Sequence, residues 1–204
     1  MRIRNVLFAA SHCDDEVACA GTLFMLKKSG AVVHVVTFSY SRPEGGDDIG
    51  RVHAEWEKSM ATIGVDRATV FDWGCDKLAT RAEEIRQFLY EYVRKNEIDT
   101  GFVLSKDDPH QSHSTVGAEA ERVMRDVPRV LRCFFPWDQN IGNASVYSIL
   151  TKEALNAKVA AISAYESQKF RYKYADLFRH QAIADGLAVK REAAERFALV
   201  RAII

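Results

Sequence analysis

The stretch Val6-Leu7-Phe8-Ala9-Ala10-Ser11-His12-Cys13-Asp14-Asp15-Glu16 decides how this chain is read. It begins with a continuous apolar run, the pattern of a parallel strand covered on both faces. It then turns polar and brings one histidine and three acids to the strand's end. A helical segment follows from Glu16 to Lys28. Ala18, Leu23 and Leu26 lie on its apolar face, Lys27 and Lys28 in its last turn, and Gly30 stops it. A strand, a sharp polar turn and a helix is where an α/β protein puts its chemistry. Histidine and carboxylate are also ligand types of hydrolytic zinc. The turn therefore reads as half of a metal site. The other half is expected at His110-Gln111-Ser112-His113.

The rest of the chain alternates in the same way. Ala31–Phe38, Ala68–Trp73, Gly101–Leu104, Val130–Phe135 and Val146–Leu150 read as strands. Arg51–Ile63, stopped at Gly64, reads as a helix. So does a segment capped by Thr80 and running to about Asn96, with Glu83 and Glu84 in its first turn. A further helix begins at His113, and Thr151–Gln168 and Ala175–Ala202 read as helical, the last interrupted near Gly186. Ser41–Gly50 is a polar loop rich in turn formers, and a lid over the site is one reading of it. Strands alternating with helices predict a single-domain, Rossmann-like, doubly wound α/β fold over residues 1–204, with a mostly parallel sheet flanked by helices. Ligands in such sheets bind beyond the carboxyl ends of the strands. Both histidine motifs directly follow predicted strands, so they can meet in one crevice.

Composition narrows the function classes. With 28 basic and 28 acidic residues the net charge is zero, so no strongly basic nucleic-acid footprint is visible. An apolar fraction of 48% and a charged fraction of 27% suit a globular, water-facing protein. No apolar run approaches the roughly 20 residues of a membrane span. Cys13, Cys19, Cys75 and Cys133 form no CxxC pair, which points to reduced thiols and a cytoplasmic protein.

The two motifs supply a full set of hydrolytic groups. His12 and Asp15, three apart across a strand–helix turn, can converge on one ion, and His113 could add a third ligand. Three protein ligands with one open position is the pattern of a catalytic zinc site. Asp14 would take a proton from water. His110 could stabilise the oxyanion or protonate the leaving amine. Each motif alone has a plainer reading, a solvated acidic helix start or a polar loop. It is their joint occurrence at two strand ends that favours the metal. His34 reads as strand packing or surface, His53 as helix surface and His180 as solvated. Trp137 and Tyr165 could line the mouth of a pocket.

These residues resemble the PIG-L/LmbE family of zinc-dependent N-acetylglucosaminyl deacetylases. The family's A-H-P-D-D-E stands here as Ser11-His12-Cys13-Asp14-Asp15-Glu16, followed by Ala20-Gly21-Thr22-Leu23. Its D-x-H-x-D-H stands as Asp108-Pro109-His110-Gln111-Ser112-His113. Arg51 and Glu55, Ile63-Gly64-Val65, Asp76-Lys77-Leu78, Lys158, Tyr165-Glu166-Ser167-Gln168, and Gly186 with Ala194-Glu195-Arg196-Phe197 match further family motifs in order. The resemblance implies zinc held by His12, Asp15 and His113, Asp14 as general base and His110 as the second catalytic group. It implies Arg51 and Asp76 as contacts to the sugar of a small-molecule amino-sugar conjugate. The same ligands also suit Fe2+, cobalt or nickel. A non-sugar amide substrate and a non-catalytic binding module are the alternatives. Two departures stand out. Cys13 replaces proline and reads as a small buried residue rather than a ligand. Ser112 replaces an aspartate, which would let His110 keep a lower pKa and leaves Asp107 or Asp108 as substitutes. The chain is short for the family, so a neighbouring subunit of a homo-oligomer could complete the pocket.

Overall fold

A computed structural model describes residues 2–41, 48–138, 144–169 and 174–203. The proposed lid at 41–50 lies largely outside the described residues. β1 (Asn5–His12) is central, and its residues alternate between two apolar clusters. Val6, Phe8 and Ala10 enter one, and Leu7 and Ala9 the other. Burial on both faces is why this strand reads as continuously apolar. β2 (Val32–Ser39) pairs with β1 in parallel, and β3 (Arg67–Val70) with β2. β4 (Thr100–Val103) takes the other side of β1, and β5 (Arg129–Cys133) follows it.

β6 (Ala144–Ile149) and β7 (Ala194–Ala202) complete a seven-stranded sheet of order β3-β2-β1-β4-β5-β7-β6. β7 runs antiparallel to both neighbours. The fold is therefore α/β with a mostly parallel sheet. Helices α1 (Ala20–Lys28), α2 (Ile49–Ile63) and α5 (Lys152–Ser163) pack together over one face, and α6 (Tyr174–Ala188) packs on α5. α3 (Ala82–Lys95) and α4 (Gln111–Val123) cover the other face. Among the described residues no helix is long and apolar enough to cross a membrane.

Gly64 ends α2 as expected, with the positive φ of 81° that favours glycine. Three expectations need correction. Thr80 does not cap α3: residues 75–81 form a 3-10 turn, and the Thr80 hydroxyl donates to the Lys77 carbonyl at 2.8 Å. The C-terminal helix stops at Ala188, and residues 194–202 form β7 instead. Alanine-rich sequence favours a helix locally, but a slot between β5 and β6 offers hydrogen bonds on both sides, and tertiary pairing overrides propensity. Gly186 is no interruption but a contact point. A Cβ there would meet the Ala193 backbone at 2.5 Å.

The third correction concerns the segment after the acidic turn. Residues 15–18 form a 3-10 turn, and α1 starts only at Ala20. A continuous α-helix would bond the N–H of Gly21 to the Val17 carbonyl and that of Thr22 to the Ala18 carbonyl. Both bonds are replaced. The Lys158 ammonium donates to the Val17 carbonyl and, at 3.4 Å, to that of Ala18. The Glu195 carboxylate accepts the N–H groups of Gly21 and Thr22 at 3.0 and 2.7 Å. Lys158 and Glu195 also pair with each other at 2.7 Å. A buried ion pair from α5 and β7 thus wedges open the helical ladder and sets the turn that carries Asp15.

Candidate active site

The chain reverses its winding direction between β1 and β4, so a crevice opens beyond their carboxyl ends, where such sheets bind ligands. His12 is the last residue of β1, and His110 precedes α4, whose first turn carries His113. The two motifs meet there. The side chains of His12, Asp15 and His113 are all buried, with one ligand atom from each lying within 4.8 Å of the others. They line a cavity of about 470 Å³. Asp14 and His110 line the same cavity, as do Asp108 and Trp137.

The donor spacing fits a metal ion. Bonds of about 2.0–2.1 Å in tetrahedral geometry put neighbouring donors about 3.3 Å apart. His12 Nδ1 lies 3.2 Å from His113 Nε2, which lies 3.1 Å from Asp15 Oδ1. The third pair is looser, with His12 Nδ1 at 3.7 Å from Asp15 Oδ2. That second oxygen is occupied by the backbone N–H groups of Ser11 and His12, each at 2.8 Å, so Oδ1 is the one aimed into the cluster. His113 is oriented from behind: its Nδ1 lies 2.8 Å from Asp108 Oδ2. A carboxylate on the far nitrogen of a histidine fixes the tautomer that presents Nε2 to an ion.

Electrostatics carry the same message. Burial alone would raise the Asp15 pKa, but His113 and then His12 outweigh it and hold the carboxyl well below its ordinary range. Burial would lower the His113 imidazole, yet the charge of Asp15 and the hydrogen bond with Asp108 push it up to about 10. Two buried carboxylates therefore demand a positive charge between them. A divalent cation meets that demand as a proton does, and its binding releases the proton.

Asp14 has φ 95°, a left-handed conformation that costs a non-glycine residue strain. The turn is held there by Glu16. Its buried carboxylate accepts the Asp14 N–H at 3.2 Å, the Ser59 hydroxyl at 2.5 Å and the Tyr165 hydroxyl at 2.7 Å. Burial raises the Glu16 pKa against those hydrogen bonds. His110 stacks on the His113 ring at a centroid distance of 4.7 Å. Burial first, then the His113 and His12 rings, lowers its pKa. Its backbone N–H donates to Asp108 Oδ1 at 2.7 Å, so Asp108 serves the His110 main chain and the His113 ring. Ser112, at the aspartate position, donates to the Cys75 carbonyl at 3.0 Å and ties α4 to the 75–81 turn.

Other predicted residues fall elsewhere. Cys13 is buried outside the ligand cluster, and burial pushes its thiol well up. Tyr165 does not reach the cavity mouth, being spent on Glu16. Arg51 donates to Glu55 at 3.2 Å, and Glu55 accepts the Ser167 N–H at 2.9 Å and hydroxyl at 2.5 Å, tying α2 to the 166–168 turn. Asp76 pairs with Lys77 at 3.4 Å. Among the described residues, neither Arg51 nor Asp76 lines the cavity. Phe135 and Phe178, which no sequence motif singles out, form part of its wall.

The sequence profile of the GlcNAc-PI de-N-acetylase family, PIG-L, matches residues 7–124, more than half of the 204-residue chain. The chain belongs to the PIG-L family. The matched region holds the turn at residues 11–16 and the whole of α4, so both histidine motifs lie inside it. Among curated proteins none matches the sequence. Solved structures share the fold. A conserved protein of Thermus thermophilus is 19% identical with a TM-score of 0.83, covering 98% of this chain and 95% of its own. The N,N'-diacetylchitobiose deacetylase of Pyrococcus horikoshii is 18% identical with a TM-score of 0.77, over 97% and 84%. The 4-carboxy-2-hydroxymuconate hydratase of Pseudomonas putida is 16% identical with a TM-score of 0.86, over 99% and 98%. One fold thus carries a deacetylase and a hydratase, and the reaction must be argued from this PIG-L chain's own site.

Proposed function

We propose that residues 1–204 form one metal-dependent N-deacetylase domain acting on an N-acetylated amino sugar or its conjugate. The observation that carries this reading is the buried His12–Asp15–His113 cluster lining a cavity that Asp14 and His110 also line. Family membership supports the amide as the bond attacked. His12, Asp15 and His113 are the ligands, and zinc is the proposed ion, since two imidazoles and one carboxylate with an open position make a catalytic zinc site. When bound, the ion supplies Lewis acidity toward water and the amide carbonyl.

The chain's own groups do the rest. Asp14 accepts the proton of the attacking water and passes it to the leaving nitrogen. His110 stands neutral near pH 7, because burial and its neighbouring rings depress it. A cation beside it would lower it further. A neutral imidazole still donates a hydrogen bond, so His110 stabilises the developing oxyanion rather than protonating the amine. Arg51 and Asp76 remain candidate sugar contacts. Asp76 follows the cavity-lining Cys75, and Arg51 lies on α2 just after segment 42–47. All four cysteines are free, which supports a reducing, cytoplasmic setting.

Metal analysis and acetate release from N-acetylglucosamine-type substrates test the proposal together. Asp14→Asn should keep its metal and lose turnover. Asp15→Ala and His113→Ala should lose both. Persistent activity in those two variants at unchanged metal content would falsify the mechanism.

A further inference from the structure

Asp14 sits in a strained backbone conformation at the centre of the acidic turn. Its φ of 95° lies in the left-handed region, which a residue with a Cβ keeps only when its surroundings fix it there. The residues on either side are pinned by separate groups. The Cys13 N–H donates to the Ser39 carbonyl at 3.0 Å, and the Cys13 carbonyl accepts the Ser41 hydroxyl at 3.0 Å. Asp15 is anchored by the Ser11 and His12 N–H groups on its Oδ2. The N–H of Asp14 itself donates to Glu16 Oε2 at 3.2 Å.

Glu16 is set in turn from its other oxygen. Its side chain is fully buried, and Oε1 accepts the hydroxyls of Ser59 and Tyr165 at 2.5 and 2.7 Å. One helix governs both donors. Ser59 lies on α2, and Glu55, one turn earlier on that helix, accepts the Ser167 N–H at 2.9 Å and hydroxyl at 2.5 Å. That bond fixes the 166–168 turn, which Tyr165 precedes. Tyr165 also lies beyond the family-matched residues 7–124. A buried carboxylate is costly unless its hydrogen bonds are met. An apolar side chain would pack there without that cost, but it would offer the Asp14 N–H no acceptor.

We propose that Glu16, oriented by Tyr165 and Ser59, is a positioning residue that holds Asp14 in its left-handed conformation and so aims the general base. Among the described residues Asp14 lines the cavity and Glu16 does not, so Glu16 acts through the Asp14 backbone. Because Asp15 has its own anchors, the two tasks of the turn are separable. Loss of the tie releases Asp14 and leaves the ligand cluster in place. The inference rests on the deacetylase reading for the task of the base but not for the tie, which amide exchange probes without turnover.

The experiment uses the zinc-loaded full chain and three readouts. These are zinc content, amide hydrogen exchange of Asp14 by NMR with buried Phe8 of β1 as reference, and kcat and KM for acetate release from N-acetylglucosamine. Glu16→Met should speed Asp14 exchange relative to Phe8. It should lower kcat about 10- to 100-fold, the range carried by one hydrogen bond to a charged group, at unchanged KM and zinc. Glu16→Gln should restore most of both. Its amide oxygen can accept the Asp14 N–H while its NH2 turns to the two hydroxyls, which accept as well as donate. Should Glu16→Met not fold, Tyr165→Phe combined with Ser59→Ala decides. That variant removes both donors to Oε1 and should show the same pattern with a smaller loss of kcat. Unchanged kcat or unchanged Asp14 exchange in the folded variant overturns the inference. So does loss of zinc in step with kcat, the mark of a merely structural role, and so does a Glu16→Gln as impaired as Glu16→Met. Glu16-dependent protection of Asp14 in a protein that releases no acetate would keep the tie and remove the deacetylase reading instead.

Discussion

Replacing Lys158 by methionine removes one half of the wedge that separates the 15–18 turn from α1. Lys158 and Glu195 are 2% and 3% exposed, and their side chains meet at 2.7 Å. Without the ammonium, the Glu195 carboxylate stays buried with only the Gly21 and Thr22 N–H groups as partners, and the Val17 and Ala18 carbonyls lose their donor. Breaking a buried ion pair from one side costs about 3–5 kcal/mol. For a chain of this length each kcal/mol moves the midpoint by about 2–4 °C, so Tm should fall by about 6–20 °C. The companion Glu195→Met should cost a similar amount. The double variant should behave differently. With both charges gone, the N–H groups of Gly21 and Thr22 can bond the carbonyls of Val17 and Ala18, the ordinary helical pattern. Its stability should return to within about 1–2 kcal/mol of wild type, because an apolar replacement of a buried pair is often neutral. Its metal affinity should not return, since a regular helix would rotate Asp15 away from His12 and His113. Thermal unfolding by circular dichroism and metal analysis of all four proteins form one double-mutant cycle. A Lys158→Met midpoint within about 3 °C of wild type would refute the wedge. So would a double variant whose loss equals the sum of the single ones.

Three further expectations follow from the site and the core. Asp108→Asn removes the charge behind His113 and should weaken metal affinity by about 10- to 100-fold, measured by competition with a chelator; unchanged affinity would show that His113 needs no such support. His110→Ala should cut turnover by about 100- to 1,000-fold with metal content intact, and loss of the metal would make His110 a ligand instead. Burial, with the Arg67 charge second, pushes the His34 imidazole down to about 4. Its folded value lies below the unfolded one of about 6.5, so between the two the unfolded chain binds the extra proton and stability falls as pH drops. His34→Gln should therefore show a shallower loss of urea midpoint between about pH 6.5 and 4, and an identical slope would discard His34 as the cause.

Local signals were enough for much of the fold. β1 was legible because a strand covered on both faces has no polar side to alternate with. The end of α2 was legible because the positive φ at a helix end favours glycine, and Gly64 takes it. β7 was not. Its alanines and charged residues carry helix propensity, and the slot that recruits it is built by β5 and β6 from elsewhere in the chain. The start of α1 was misread for a related reason. Helix periodicity runs through Val17 to Thr22, and the groups that interrupt it come from Lys158 and Glu195.

The site divides along the same line. Residue type and order make His12, Asp15 and His113 candidates for one group, because strand ends of a doubly wound sheet converge, and the family resemblance completes the set. They also put Asp14 and His110 in the same two motifs, and both line the cavity. Tertiary structure alone assigns which atoms face the centre of the cluster. Two backbone N–H groups occupy one oxygen of Asp15, and Asp108 rather than Ser112 orients a histidine, and that histidine is His113. It alone gathers Phe135, Trp137 and Phe178 into one wall from β5's end and α6. The physical reason is range. Propensity and periodicity act over a few residues, whereas hydrogen-bond directions and aromatic stacking depend on side chains brought together from distant parts of the chain.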